Sequence, residues 1–406
     1  MNTGNKEIIF AETAPSEMNY KIAYVLKKKG YKTILICINK LEKGVFSDAY
    51  NKIISFNFKF FKVNLRNATK IFSYSLKNLK NLASALIQIK KLKPYIVIGR
   101  ATPNWLCALT RKYFKTANFI YFPYDIRSFC YRSLEEAKKG GVPLFEIKAE
   151  KYCFENADGI IHKADENELK YLDKKVLGEF EIKAPHIFFP PYCLKDLMAP
   201  ANKDKLSKKD KEIHIVFVGH IGTGEWGKWW HKQIKDILNQ KMHLHLYGKT
   251  AYLTKKESYN AVKENNLYQE LLENKYCHLH DQMNFKELSK EISKYDFGIW
   301  LGHGMRSREK NIRFGTGNKM AAYFEAGLPF FYFKDQKSVV KLMKKYGFNL
   351  ELDGNELKFL KKKINKINYK ELQKKVLVAR EDFEVDKHIK ELEDFFKKVA
   401  ENRKKS

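Results

Sequence analysis

The sequence predicts an α/β protein made of two successive domains, each a parallel sheet flanked by helices. Three observations carry that expectation. Short apolar runs of strand length alternate with longer segments whose apolar residues recur at helical spacing. The alternation runs through the first half, pauses over the lysine- and aspartate-rich stretch APANKDKLSKKDKE (199–212), and begins again. A chain of 406 residues suits two or three domains, and no repeat of about 20–50 residues marks a solenoid.

EIIF (Glu7–Phe10) reads as the first strand. After the loop AETAPSEMN a helix runs to about Lys29, where Gly30 stops it, and TILICI (Thr33–Ile38) is the next strand. A helix over Ser75–Lys91 places Leu79, Leu82, Leu86 and Ile89 on one face; Pro94 ends it, and YIVIG (Tyr95–Gly99) is a buried strand. A helix through Trp105–Tyr113 leads to NFIYF (Asn118–Phe122). DGIIHK (Asp158–Lys163) is a further strand, followed by a helix at Glu166–Leu172 and by HIFFPP (His186–Pro191). In the second half HIVFVGH (His214–His220), HLHLYG (His243–Gly248), CHLH (Cys277–His280), FGIWLG (Phe297–Gly302) and PFFYF (Pro329–Phe333) read as strands. A helix in NFKELSKEISKYD and another at Asn318–Ala326 separate the later ones, and the tail beyond about Asn355 reads as helical. The expected boundaries are 1–198, a linker at 199–212, 213–385, and a C-terminal helix at 386–406. Two such domains would leave a cleft between the C-terminal edges of their sheets.

Composition narrows the function. Hydrophobic residues make up 44% of the chain, enough for ordinary cores. The six cysteines are scattered with no CxxC pair, so buried reduced thiols are expected, not disulfides or a zinc site. Lys6 and Glu7 precede a very short apolar run, so the start does not read as a secretory leader, and no run of about 18 apolar residues suggests a membrane span. The net charge of +30 has three readings: a solubilising surface, attraction to an anionic membrane, or nucleic-acid binding. The lysines are spread along the chain without a nucleic-acid motif, so no nucleic-acid partner is expected. The basic, aromatic segment Phe56–Lys80 reads either as a membrane-surface element or as an ordinary surface helix.

Two glycine-rich turns point to phosphate. GTGNKMAAYFEAGLPFF (Gly315–Phe331) opens a helix with Gly315, Thr316, Gly317, Asn318 and Lys319, and Arg306, Arg308 and Arg313 crowd its approach. Free amides at a helix start, the helix dipole and nearby cations suit a diphosphate. VFVGHIGTGEWGKWW (Val216–Trp230) sets Gly219 and Gly222 at a strand-to-helix corner, with Lys228 as a second cation and His220 as a donor to a phosphate or sugar hydroxyl. Glu12 and Glu17 flank the loop after the first strand, where either carboxylate can serve an acceptor hydroxyl. With no DxD motif in a strand-end loop and no HExxH, no metal is expected; the histidines of HLHLYG alternate along a strand and are expected to face core and solvent.

KYDFGIWLG followed by GNKMAAYFEAGLPFF resembles the C-terminal domain of GT-B glycosyltransferases, and most nearly the nucleotide-sugar-dependent group around glycosyltransferase family 4. Asn318, Lys319, Tyr323, Ala326, Gly327 and Pro329 fit that family's "P-N-K-x-x-E-Y-x-a-a-G-x-P" pattern. IYFPYDIRSF (Ile120–Phe129) resembles a "y-D-x-R-D" loop of some members, with Ser128 at the second aspartate. Where the family carries a ribose-binding glutamate this chain has Ala322; Glu325, one turn on, either substitutes for it or makes a cap or a lysine pair.

The resemblance implies two Rossmann-like domains facing a cleft, with the C-terminal helix crossing back to the N-terminal domain. It implies a hexosyltransferase-type enzyme that moves sugar from a nucleotide-diphosphate sugar to a glycan or lipid-linked acceptor in surface polysaccharide or glycoconjugate synthesis. No cofactor or metal is implied, and the location would be cytoplasmic, peripheral on the inner face of the plasma membrane. Gly219, Gly222, Lys228, Arg313, Gly315, Thr316, Gly317, Asn318, Lys319 and Glu325 would meet the donor. Asp125, Glu17 and His220 would be catalytic, and Glu12 and Arg127 would bind the acceptor. Two alternatives stay open: a non-catalytic nucleotide- or polyanion-binding protein, and a sugar-nucleotide epimerase on the same scaffold.

Overall fold

A computed structural model describes residues 6–38, 44–56, 76–100, 103–200, 204–221, 227–249, 266–281, 283–301 and 309–405. The chain divides into two compact units, Met1–Pro190 with Val385–Ser406, and Pro191–Glu384.

The first unit holds seven strands: β1 (Glu7–Glu12), β2 (Lys32–Cys37), β3 (Lys52–Ser55), β4 (Ile96–Arg100), β5 (Asn118–Phe122), β6 (Gly159–His162) and β7 (His186–Phe188). They form one sheet in the order β3-β2-β1-β4-β5-β6-β7 with parallel pairing throughout. The second unit holds β8 (His214–His220), β9 (His243–Lys249), β10 (Cys277–His280), β11 (Phe297–Ile299), β12 (Phe330–Phe333) and β13 (Glu351–Leu352). Their order is β10-β9-β8-β11-β12-β13, again all parallel. Both are doubly wound sheets whose strand order reverses beside the first strand, at β1/β4 and at β8/β11. Ligands of such sheets bind outside the strands' carboxyl ends at that reversal. The strands are apolar on both faces, as β1 shows with all six residues buried, because helices cover both sides.

The helix Val385–Lys405 belongs to the first unit, as the expected crossing-back helix requires. Arg403 donates to Asp158 Oδ2 at 3.0 Å, and Lys29 pairs with Glu393 at 3.0 Å. A Cβ on Gly159 would lie 2.5 Å from Val399 Cγ2, so the helix rests directly on β6. Five of the six cysteines are buried, all as free thiols. Among the described residues no helix is long and apolar enough to cross a membrane.

Several sequence expectations change. The stretch 199–212 is not a free linker. Its described residues belong to the second unit, where Ala199 donates to the Glu325 carbonyl and a helix forms over Leu206–Asp210. Lys205 is buried with its ammonium donating to the carbonyls of Ser293 and Tyr295, both at 2.7 Å. The helix Leu144–Asn156 was not expected, because Glu146 and Glu150 point inward and erase its amphipathic stripe. Strands β3 and β13 are too short to show a period, and Glu168–Tyr171 is a 3-10 turn where a longer helix was expected.

Candidate functional site

At the carboxyl end of the second unit's reversal, β8 ends in Gly219 and His220 and β11 runs into Trp300. The helix Asn318–Glu325 starts beside them, and its Lys319 points into this corner. A Cβ on Gly219, whose φ is +133°, would lie 3.5 Å from Lys319 Nζ. The ammonium sits 4.9 Å from the centroid of Phe217 and 5.0 Å from that of Trp300, within cation–π range. Lys319 forms no ion pair or hydrogen bond among the described residues. Burial pushes its ammonium down to about 7, and no described residue pairs an anion with it.

The helix itself is placed by close packing. Tyr323 Oη accepts from the Val218 amide at 3.2 Å and donates to the Ile299 carbonyl at 2.8 Å, tying the helix to β8 and β11. This approach needs Gly298, where a Cβ would fall 2.7 Å from the Tyr323 ring. Gly317 is the N-cap, in extended conformation, and no side chain caps the helix. With no side-chain cap among the described residues, the first-turn amides suit an anion. Asn318 Oδ1, in that first turn, is buried without a hydrogen-bond partner among the described residues.

The first unit's reversal, at β1/β4, carries Glu12 and Arg100. Glu12 is buried; its Oε2 accepts from the Ser16 amide and from Asn19 Nδ2, both at 3.2 Å, with Arg100 at 3.6 Å. Burial pushes this carboxyl up to about 7, against the pull of Arg100. Its Oε1 has no hydrogen-bond partner among the described residues. Glu12 also borders a cavity of about 270 Å³ whose other walls are mainly apolar, including Cys37, Leu86, Leu109 and Tyr113. Farther along the same edge, Arg100 and Lys163 both lie over the Tyr124 ring, at 4.1 and 3.7 Å, and Lys163 pairs with Asp125 at 3.3 Å.

The expected residues divide accordingly. Gly219, His220, Gly317, Asn318 and Lys319 gather at the second unit's corner, with Gly315 and the buried Thr316 in the turn just before them. Arg313 is exposed with its guanidinium 5.4 Å from the Phe314 ring, and Lys228 is exposed in the first turn of the helix Gly227–Leu238. Gly222, Arg306 and Arg308 lie outside the described residues, as do 57–75 of the segment Phe56–Lys80.

Glu325 makes a backbone contact in its own unit. It is buried at the far end of its helix, and its Oε1 accepts from the Leu194 amide at 2.8 Å. Glu17 is paired with Lys21 at 2.7 Å, and Asp125 is an exposed partner of Lys163. Arg127 is placed by its amide, which donates to Glu150 at 2.5 Å. That buried glutamate also accepts from the Ser128 amide and anchors the loop where an aspartate was expected. Sequence reasoning missed Phe217, Trp300, Arg100, Tyr124 and Lys163. Only a place at or just after a strand end would have marked the last four.

No family model matches the sequence, and no curated protein matches it. Solved structures do. The chain matches the sucrose-phosphate synthase of Thermosynechococcus elongatus with a TM-score of 0.65 at 13% identity, over 97% of this chain and 98% of that one. A glycosyltransferase from Rickettsia africae matches with a TM-score of 0.58 at 15% identity, over 98% and 100% of the two chains. The catalytic domain of starch synthase IV from Arabidopsis thaliana, bound to ADP and acarbose, matches with a TM-score of 0.59 at 10% identity, over 97% and 99%. The fold is thus the GT-B fold that the sequence resemblance implied.

Proposed function

We propose that the protein is a glycosyltransferase that takes a sugar from a nucleoside-diphosphate donor and passes it to an acceptor hydroxyl. The observation that carries this reading is the Lys319 ammonium. It faces Phe217 and Trp300 beside Gly219 and an uncapped helix start, with no anion among the described residues to balance it. A departing diphosphate supplies that anion, and its developing charge is what such a cradle stabilises in the transition state. Breaking the anomeric bond leaves its electron pair on the diphosphate oxygen, and the acceptor oxygen forms the new bond while losing a proton. Glu12 suits that proton, since its carboxyl is pushed up to about 7 and one oxygen is unpartnered. The first unit would bind the acceptor and the second the donor. The apolar cavity beside Glu12 and the net charge of +30 support an acceptor with an apolar portion, met at an anionic membrane face. The residues present offer the reaction's charge stabilisation without a metal.

The test is release of nucleotide from UDP-, GDP- and ADP-sugars in the presence of glycan and lipid-linked acceptors. At least one donor should turn over, and Lys319→Met should lower kcat by roughly 10²–10³-fold, the usual cost of removing one stabilising donor. Absence of release with every donor, or an unaffected Lys319→Met, contradicts the reading.

A further inference from the structure

The opposite end of the second sheet carries a different chemistry. His214 and His243 open β8 and β9, and β8 places roughly 20 Å of strand between them and the Lys319 corner. Their rings stack with centroids 4.4 Å apart and planes 7° apart. Each Nε2 meets a carboxylate: His214 meets Asp210 Oδ2 at 2.8 Å, and His243 meets Glu212 Oε2 at 2.5 Å. One donor atom each from Asp210, His214 and His243 lie within 4.8 Å of one another.

We propose that Asp210, His214 and His243, with Glu212 beside them on His243 Nε2, form a binding site for a divalent transition cation of the zinc class. Imidazole nitrogens and carboxylate oxygens are donors that zinc takes in a tetrahedron, at about 2.0–2.2 Å. Neighbouring donors around such an ion stand about 3.3 Å apart by that geometry. Closing the present spacing takes a tilt of the stacked imidazoles toward a common point as well as movement of the exposed carboxylates. Asp210 and Glu212 have side chains 44% and 39% exposed, whereas those of His214 and His243 are 5% and 16% exposed. The site is therefore open to solvent on its carboxylate side and packed on its imidazole side.

Behind the imidazoles lies a second layer of histidine. His214 Nδ1 lies 3.0 Å from His245 Nε2, and His245 Nδ1 lies 2.9 Å from His280 Nε2. His243 Nδ1 lies 2.8 Å from His278 Nε2. A metal-bound histidine presents a bare Nε2 and donates its Nδ1–H to a partner that sets the ring's orientation. Both rings have such a partner, and neutral imidazole can accept as well as donate. With the ion bound, His214 and His243 are Nδ1–H tautomers donating inward to His245 and His278. The surface sense of this arrangement is structural: the ion would tie the helix Leu206–Asp210 and the entry to β8 to the start of β9.

The test uses the full, tag-free chain, freed of metal by chelator and titrated with cobalt(II) followed by zinc. Wild type should bind one equivalent, with the visible bands of tetrahedral cobalt and their loss on zinc addition, and zinc should raise the melting temperature. Asp210→Asn with Glu212→Gln, both on the surface, should keep the fold by circular dichroism and weaken zinc at least tenfold. His243→Gln should abolish the cobalt bands. Failure of wild type to bind stoichiometrically, or unchanged binding in both variants, overturns the site. Nucleotide release by the chelated protein reads the transfer reaction separately, so the two accounts fail independently.

Discussion

Lys319 and Glu12 occupy the strand-order reversals of their two sheets, and burial moves both groups to the same range from opposite sides. The Lys319 ammonium comes down to about 7 and the Glu12 carboxyl comes up to about 7. On the proposed reading, transfer needs Glu12 ionised and Lys319 protonated. We therefore expect kcat/KM to be bell-shaped and centred near pH 7, its acid limb from Glu12 and its alkaline limb from Lys319. Glu12→Ala should remove the acid limb and lower kcat by roughly 10²–10⁴-fold, the usual contribution of a general base; a profile that keeps its acid limb in this variant would assign the limb elsewhere. Lys319 was legible in the sequence because a glycine turn, a lysine and a helix start are contiguous. Its ring partner Trp300 and the Glu12–Arg100 pair were not, because each joins residues from different strands that meet only in the folded sheet. The backbone contact of Glu325 was hidden for a related reason. Its helical spacing from Ala322 was visible, but the Leu194 amide that occupies it lies 131 residues away.

The helix Asn318–Glu325 shows how an element acquires its position. Its existence was plain from the glycine turn before it and from Gly327 and Pro329 after it. Its depth is set by Gly298 and Tyr323. Gly298→Ala places a methyl 2.7 Å from the Tyr323 ring. The variant should lose about 1–3 kcal/mol of stability by denaturant unfolding, a usual cost of overpacking, and should weaken diphosphate binding as the helix moves outward. Unchanged stability and binding would mean that the approach is looser than described. The helix Leu144–Asn156 was invisible by contrast, since a helix with two buried glutamates resembles neither an amphipathic nor an apolar pattern. The glutamates are inside because backbone amides take them: Glu146 accepts from Asn104, and Glu150 from Arg127 and Ser128.

At the scale of the whole molecule, the two α/β repeats and the returning C-terminal helix were legible, the first from periodicity and the second from the family resemblance. The domain border was not, because a lysine-rich stretch reads as a tether even when one lysine is buried under two carbonyls. The return of Val385–Lys405 makes the first unit discontinuous in sequence. Gly159→Val should push Val399 and Phe395 off β6 and cost the protein about 1–3 kcal/mol in denaturant unfolding; an unaffected midpoint would show that the helix contributes little there.

The central claim is that Lys319 and the turn before its helix bind a diphosphate. Calorimetric titration of UDP, GDP and ADP at pH 7 and 9, in buffers of different ionisation enthalpy, tests it most directly. A bound diphosphate raises the Lys319 ammonium again, so above pH 7 binding must take up a proton and affinity must fall by up to about tenfold per pH unit. At least one nucleotide should bind, with proton uptake that approaches one at pH 9 and is lost in Lys319→Met. Binding that takes up no proton at pH 9, or that Lys319→Met leaves unchanged, would contradict it.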